Sequence, residues 1–227
     1  MQLTLKDDQT LQLDNPITFV LGANGYGKST RLKTIRQPLL QNHKQVLSFD
    51  VTDKNSWLKT QLDTSRYPYI KPSTILIDID MHASYDLHTL LAFAIDGNSD
   101  ISFTEVTSTS EAYTSFILLK LLRKRLEFLE ELQYDGQVLV LLDGIDSGTT
   151  PDVATSYAKY LQQIITNSKL DLKIVATSNT FEFLNPAEYS DPAYLDARTL
   201  DKIAVSTHKN FVDFVMSTSS AKDVIVY

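Results

Sequence analysis

The chain has 227 residues, with 43% hydrophobic and 22% charged side chains, a composition typical of one globular domain. It has no cysteine, which excludes disulfides and thiolate metal sites, and no apolar run near the ~18 residues that cross a bilayer. The formal net charge of −7 disfavours non-specific attraction to nucleic acid, so any such contact would be local. The N-terminus also lacks the basic and apolar segments of a secretory signal, and we expect a cytoplasmic protein without membrane insertion.

The first half of the chain predicts a hairpin, then strands and helices. Alternation with polar residues predicts a short antiparallel hairpin from Leu3, Leu5, Leu11 and Leu13. Apolar runs predict three strands, at 17–22, 46–51 and 74–80. Residues 28–40 have helical spacing until Pro38 disturbs it, and residues 84–95 have it again. The polar stretch 52–73 predicts a small peripheral lobe.

The second half predicts three helices, two buried strands and antiparallel pieces near the end. The helices are predicted at 110–133, from Asp152 to about Ser168, and at 208–216. Thr150 as N-cap and Pro151 at the first helical position mark the start of the middle one. Apolar runs predict strands at 137–143 and 172–178, a hairpin around 199–202, and a last strand at 223–227.

Strands that alternate with helices predict an α/β fold. The sheet is expected to be mostly parallel and covered by helices on both faces, with antiparallel edge strands from the N- and C-termini. At this length, residues 1–227 are expected to form a single domain.

The segment GANGYGKST (22–30) matches the phosphate-binding pattern G-x-x-x-x-G-K-[ST] between a buried strand and a helix. In such a P-loop, backbone N–H groups and the positive end of the helix face phosphate oxygens. Lys28 would lie between the β- and γ-phosphates of ATP, Ser29 would bind Mg²⁺, and Thr30 would reach the α-phosphate. The sequence therefore predicts a P-loop NTPase fold with nucleotide-binding residues Gly22, Ala23, Asn24, Gly25, Tyr26, Gly27, Lys28, Ser29 and Thr30.

Asp143 ends the apolar strand QVLVLLD (137–143). A carboxylate at the tip of a strand that neighbours the P-loop strand would reach Mg²⁺ through a coordinated water. A lone aspartate at a strand end is otherwise a turn residue, but the P-loop favours the metal interpretation. The predicted metal residues are Ser29 and Asp143, and the predicted ligands are ATP and Mg²⁺.

These motifs resemble those of ATP-binding-cassette (ABC) ATPases. GANGYGKST resembles the family form G-x-N-G-x-G-K-S-T, and VLVLLDGIDSG resembles its acidic strand end and D-loop. TSTSE (107–111) resembles the L-S-G-G-[QE] signature, so the resemblance runs over nearly the whole chain and implies a helical signature region at 84–133. The interval from TSTSE to Asp143 is longer than in transporter subunits of the family, and it resembles more the heads of RecF-like and SMC-like ATPases or the small ABC-like ATPases of phages and mobile elements.

The resemblance implies a shared nucleotide site. In the family the signature binds the γ-phosphate held by the other subunit, which assigns Ser108 and Ser110 to the nucleotide of a partner chain in an ATP-dependent homodimer. Ser110, in place of a glycine, should crowd that contact.

The chain departs from the family pattern at the positions that carry hydrolysis. Gly144 stands where the catalytic glutamate belongs, Ser178 stands where the switch histidine follows a threonine, and the Q-loop has no candidate glutamine. His208 is interpreted as an ordinary helix-start residue. Asp146 or a carboxylate from a partner protein could substitute for the glutamate, which gives Lys28, Asp143 and Asp146 as the candidate catalytic residues. Slow hydrolysis is the expectation.

Three function classes stay open from the sequence. The preferred one is an ATP-binding protein that uses Mg-ATP to switch dimerisation or binding of a protein partner, in DNA maintenance, phage biology or mobile-element defence, where only fold-level analogy points. The second is the ATP subunit of a membrane transporter, which the missing glutamine, histidine and glutamate disfavour. The third is a P-loop kinase for a small acceptor, which would need an arginine-rich lid over the phosphates.

Overall fold

The computed structural model describes residues 1–5, 9–41, 45–52, 72–81 and 111–219, together with Lys59 and Leu62. Most of the predicted lobe at 52–73, the predicted helix at 84–95 and the predicted strand at 223–227 lie outside the described residues. The single-domain organisation stays a prediction.

The N-terminal leucines form the predicted hairpin. Strand β1 (Gln2–Thr4) pairs antiparallel with β2 (Thr10–Gln12), and Leu3 lies opposite Leu11. Both leucines are buried because the alternation places every second side chain on the face that meets the core.

The remaining strands form one six-stranded parallel sheet in the order β4-β5-β6-β7-β3-β8. Their bounds are β3 (Ile17–Leu21), β4 (Val46–Phe49), β5 (Thr74–Asp80), β6 (Gln137–Asp143), β7 (Asp171–Thr177) and β8 (Pro192–Asp196). The central strands read as continuous apolar runs because helices or the hairpin cover both faces. The mostly parallel α/β sheet with a small antiparallel sheet confirms the predicted fold class.

The helices cover the two faces of the sheet. Their bounds are α1 (Lys28–Gln41), α2 (Glu111–Glu131), α3 (Pro151–Asn167), α4 (Phe181–Leu184) and α5 (His208–Thr218), with a 3₁₀ turn at Pro186–Glu188. Helix α1 and the hairpin pack on one face through Leu32 and Ile35, while α2 and α3 pack on the other. Helix α1 continues past Pro38 and ends at Gln41, less than one turn later. No helix in the described ranges is both long and apolar enough to cross a membrane.

The region after β7 differs from the sequence-based expectation. A hairpin was expected around 199–202, but the residues before it, Pro192–Asp196, form β8, which pairs parallel to β3 at the edge of the sheet. After β8 the chain turns back, and Lys202 makes an antiparallel bridge to Leu195. Within this turn, Leu200 has a φ of 64°. A five-residue strand before a tight turn carries no local signal for parallel pairing, because its partner is 175 positions away at Ile17↔Pro192.

Candidate nucleotide-binding site

The P-loop connects the buried strand β3 to helix α1. Its turn is closed by Tyr26 N–H, which donates to the Ala23 carbonyl at 3.1 Å, and by Arg31 N–H, which donates to the Gly27 carbonyl at 2.9 Å. Gly25 and Gly27 have φ values of 75° and 105°, a region that disfavours side chains. The loop therefore presents its backbone and the first turn of α1 toward the carboxyl edge of the sheet.

Lys28 is folded back across this loop. Its side chain is buried, and Nζ donates to the carbonyl oxygens of Gly22 at 2.8 Å and Ala23 at 3.0 Å. Burial lowers the pKa of the Lys28 ammonium, while the nearby carboxylates of Asp143 and Asp146 act in the opposite direction. A positive charge is thus held against the backbone carbonyls of the P-loop.

Asp143 is joined to the P-loop across an intervening strand. Ser29 Oγ donates to Asp143 Oδ1 at 3.1 Å, and Thr177 Oγ1 donates to the same oxygen at 2.5 Å. Thr177 in turn accepts from the Gly144 N–H at 3.0 Å. The expectation that Asp143 ends the strand beside the P-loop strand was wrong, because β7 lies between β3 and β6 and its last residue is Thr177. The two ends still meet, since parallel strands all end at one edge.

This arrangement decides the fold. The chain has a P-loop NTPase fold. The loop, the lysine and the strand-end aspartate occupy the carboxyl edge of its parallel sheet, as the fold requires.

A cleft of about 310 Å³ opens at this edge in the described part of the chain. Its walls come from the P-loop, the end of β6 and the end of β7, and its lining residues are Asn24, Gly25, Gly27, Lys28, Ser29, Thr30, Asp143, Gly144, Thr177, Ser178 and Asn179. The predicted residues Gly22, Ala23 and Tyr26 are not among the lining residues, although the Gly22 and Ala23 carbonyls accept the hydrogen bonds of Lys28 Nζ. Ser108 and Ser110 lie outside the described residues.

Asp146 is close to the cleft but does not line it. Its carboxylate is buried, and Oδ2 accepts the hydroxyl of Ser178 at 2.7 Å and the hydroxyl of Thr180. Burial raises the pKa of Asp146, opposed by the hydrogen bonds from Ser178 and from backbone groups. Direct contact of this carboxylate with an attacking water, as the sequence suggested, is not what the geometry favours.

Tyr26 packs on the outside of the loop. A Cβ at Gly22 would stand 2.2 Å from Tyr26 Cδ1, so the glycine makes room for the ring. The phenol donates to Asp196 Oδ2 at 3.2 Å, and the Arg198 guanidinium lies 4.2 Å from the ring centroid. The tyrosine therefore connects the P-loop to the end of β8.

The C-terminal helix also contacts the P-loop. Thr218 Oγ1 accepts from the Ala23 N–H at 3.0 Å, and α5 packs on the core through Phe211. His208 begins this helix next to the N-cap Thr207, and its ring packs edge-on against Phe181, as expected of a helix-start residue.

Sequence reasoning missed four contributors to the site. Thr177 and Ser178 were noted only for the histidine that they lack, although a polar pair that directly follows an apolar strand is a usable signal. Asn179 and Thr218 had no local signal, because their place beside the loop depends on the order of the strands and on where α5 packs.

Comparison with known proteins adds similarity but no family. No protein-family model matches the chain, and no curated protein sequence matches it significantly. Among solved structures, an ATP-binding cassette of an ABC transporter in its ADP conformation is 10% identical over 92% of this chain and 87% of its own, with a TM-score of 0.45. A Walker-type ATPase of Pyrococcus abyssi is 14% identical over 78% of this chain and 47% of its own, with a TM-score of 0.32.

Proposed function

We propose that this chain is an ABC-type protein that binds ATP with Mg²⁺ and hydrolyses it slowly. The observation that carries the proposal is the 3.1 Å contact between Ser29 and Asp143 in a cleft that the buried Lys28 also lines. Ser29 and Asp143 are 114 positions apart in the sequence, and together they supply the oxygen atoms of the site. Lys28 supplies its positive charge.

The residues present fit a nucleotide with its metal. The P-loop amides, the start of α1 and Lys28 would hold the phosphate oxygens, which are anionic acceptors. Ser29 Oγ and the Asp143 carboxylate are hard oxygen groups of the kind that hold Mg²⁺, directly or through water. The metal, when bound, would neutralise charge on the β- and γ-phosphates. Thr177 keeps the Asp143 carboxylate facing Ser29.

Ser29→Ala and Asp143→Asn should weaken Mg-ATP binding by about ten- to a hundredfold, the value of one charge-assisted contact. Metal-free ATP binding should change little, because Lys28 and the loop amides remain. Asparagine also keeps an oxygen that can accept the Thr177 hydroxyl, so the charge is removed with little rearrangement. Calorimetry with and without Mg²⁺ measures the difference, and Asp152→Asn, at the exposed start of α3, is the matched control. An equal loss in both conditions would contradict the metal assignment.

We also propose that ATP joins two copies of the chain. In this proposal each P-loop nucleotide is capped by the Ser108 and Ser110 segment of the partner copy, as the resemblance to ABC ATPases implies. The open cleft is consistent with this role, since Asn24, Gly25 and Thr30 at its rim are exposed. ATP binding would then convert monomers into dimers, and a protein partner could bind the dimer selectively.

ATP should promote the dimer more strongly than ADP, because only the γ-phosphate reaches the facing signature segment. Light scattering at saturating Mg-nucleotide should show the dimer mass with ATP and the monomer mass with ADP. Ser108→Arg should abolish the shift and leave ATP binding intact, whereas Ser156→Arg, on the exposed surface of α3, should dimerise normally. A protein that stays monomeric while saturated with Mg-ATP would refute the shared site.

A further inference from the structure

Ser178 occupies a distinctive place in the cleft. It directly follows β7 and lines the cleft beside Gly144 and Thr177. Only 2% of the residue is exposed, so its hydroxyl is held by the protein rather than by bulk water. Lys28 and Ser29, toward which phosphate would bind under the proposed function, line the same cleft.

The hydrogen bonds of Ser178 fix the direction of its hydroxyl. Oγ lies 2.7 Å from Asp146 Oδ2, and it accepts from the Thr180 N–H at 3.0 Å. The Thr180 carbonyl, 3.0 Å away, is a competing acceptor, but a carboxylate accepts more strongly than a neutral carbonyl. The proton of Ser178 is therefore directed to Asp146. A hydroxyl oxygen has two acceptor positions, and within the described residues the Thr180 N–H takes one of them.

Asp146 is a buried residue that accepts hydrogen bonds from the residues around Ser178. Its carboxylate is 6% exposed and also accepts the Thr180 hydroxyl, so Ser178 and Thr180 are both anchored to one buried group. Asp146 lies in the turn after β6, closed by Thr149 N–H donating to the Asp146 carbonyl at 3.2 Å. The turn after β6 is thus tied to the turn after β7, directly beside the position where Gly144 offers no side chain.

We propose that Ser178 orients the attacking water for ATP hydrolysis by accepting a hydrogen bond from it, and that Asp146 positions the Ser178 hydroxyl for this task. The inference rests on the proposed ATP-binding function and deepens it. Ser178 touches the reacting water, whereas Asp146 acts only through Ser178. The pair substitutes for a water-orienting residue that Gly144 cannot supply.

Single-turnover hydrolysis, with protein in excess over Mg-ATP, tests the pair. Ser178→Ala is expected to slow the chemical step about tenfold, the value of one well-aligned hydrogen bond, without changing the affinity for a non-hydrolysable ATP analogue. Ser178→Thr keeps a hydroxyl and should recover most of the lost rate. Ser156→Ala, which removes an exposed serine of α3, should match the wild type.

The coupling between the two residues is measured separately. Asp146→Asn is expected to slow hydrolysis by a similar factor, with an analogue affinity no lower than that of the wild type, because the substitution removes a negative charge near Lys28. The double variant Ser178→Ala/Asp146→Asn should be no slower than the slower single variant, because residues that act as one unit are non-additive. If Asp146→Asn does not fold, the comparison of Ser178→Ala with Ser178→Thr decides the matter.

Each outcome separates the inference from the function beneath it. Failure of the wild-type protein to bind Mg-ATP would remove the proposed function and the inference with it. Normal Mg-ATP binding with a Ser178→Ala rate equal to the wild type would overturn the inference alone. A wild-type protein that binds Mg-ATP but hydrolyses it no faster than free solution would also overturn it.

Discussion

Lys28→Ala should weaken ATP binding by about 10²- to 10⁴-fold, the largest loss that we expect from any single substitution. The ammonium is buried and its two present acceptors are the Gly22 and Ala23 carbonyls, which it would exchange for phosphate oxygens. Two charge-assisted contacts at about 1.5 to 3 kcal/mol apiece sum to about 3 to 6 kcal/mol, which converts to this range of affinity. Calorimetric titration with ATP measures it.

The control for this loss is on the same helix. Lys33→Ala removes an exposed lysine of α1 and keeps the same change in net charge, so it separates general electrostatic attraction from the specific contact. Because alanine is the strongest helix former, neither variant should lower the helix content measured by circular dichroism. Equal affinities of wild type and Lys28→Ala would remove the P-loop assignment.

The P-loop could be predicted because everything it needs is contiguous. Residues 22–30 carry the glycines, the lysine and the serine in one segment, between a strand and a helix that their own periodicity identifies. The hairpin was predictable for the same reason. The local alternation of apolar and polar residues places Leu3 and Leu11 on the same buried face, where they lie opposite each other. Features that a short segment of sequence determines can therefore be predicted without the tertiary structure.

No short segment of the sequence determines the order of the strands in the sheet. The chain shows that β3, β6 and β7 are strands, but nothing local tells that β7 lies between the other two. That insertion determines that Thr177 contacts Asp143 and that Ser178 reaches the cleft. The contact between Thr218 and the Ala23 N–H, 195 positions apart, is hidden for the same reason. These residues needed the tertiary structure.

Under the proposed function, hydrolysis is the step for which this chain lacks an expected catalytic group. A positioned carboxylate that deprotonates the attacking water contributes ~10² to 10⁴ in rate, and Gly144 has none. Asp146 does not replace it directly, since its carboxylate is buried and already accepts Ser178 and Thr180. An oriented water without a strong base supports slow turnover, so we expect an ATP-bound state that persists for many binding encounters with a partner.

Gly144→Glu should accelerate single-turnover hydrolysis, by about tenfold rather than by the full contribution of a base. The reason for the smaller gain is the backbone, because Gly144 has a φ of 66°, where a side chain costs roughly 1 to 2 kcal/mol. The glutamate must therefore either stay in that strained conformation or move the turn that holds Thr177 through the Gly144 N–H. Gly144→Gln is the matched control, since it has the same size and the same backbone strain but no carboxylate. A faster glutamate variant beside an unaccelerated glutamine variant would show that the missing base limits the wild type. Equal rates for the two would mean that position 144 does not face the attacking water, and that the assignment of the turn after β6 to the catalytic edge is wrong.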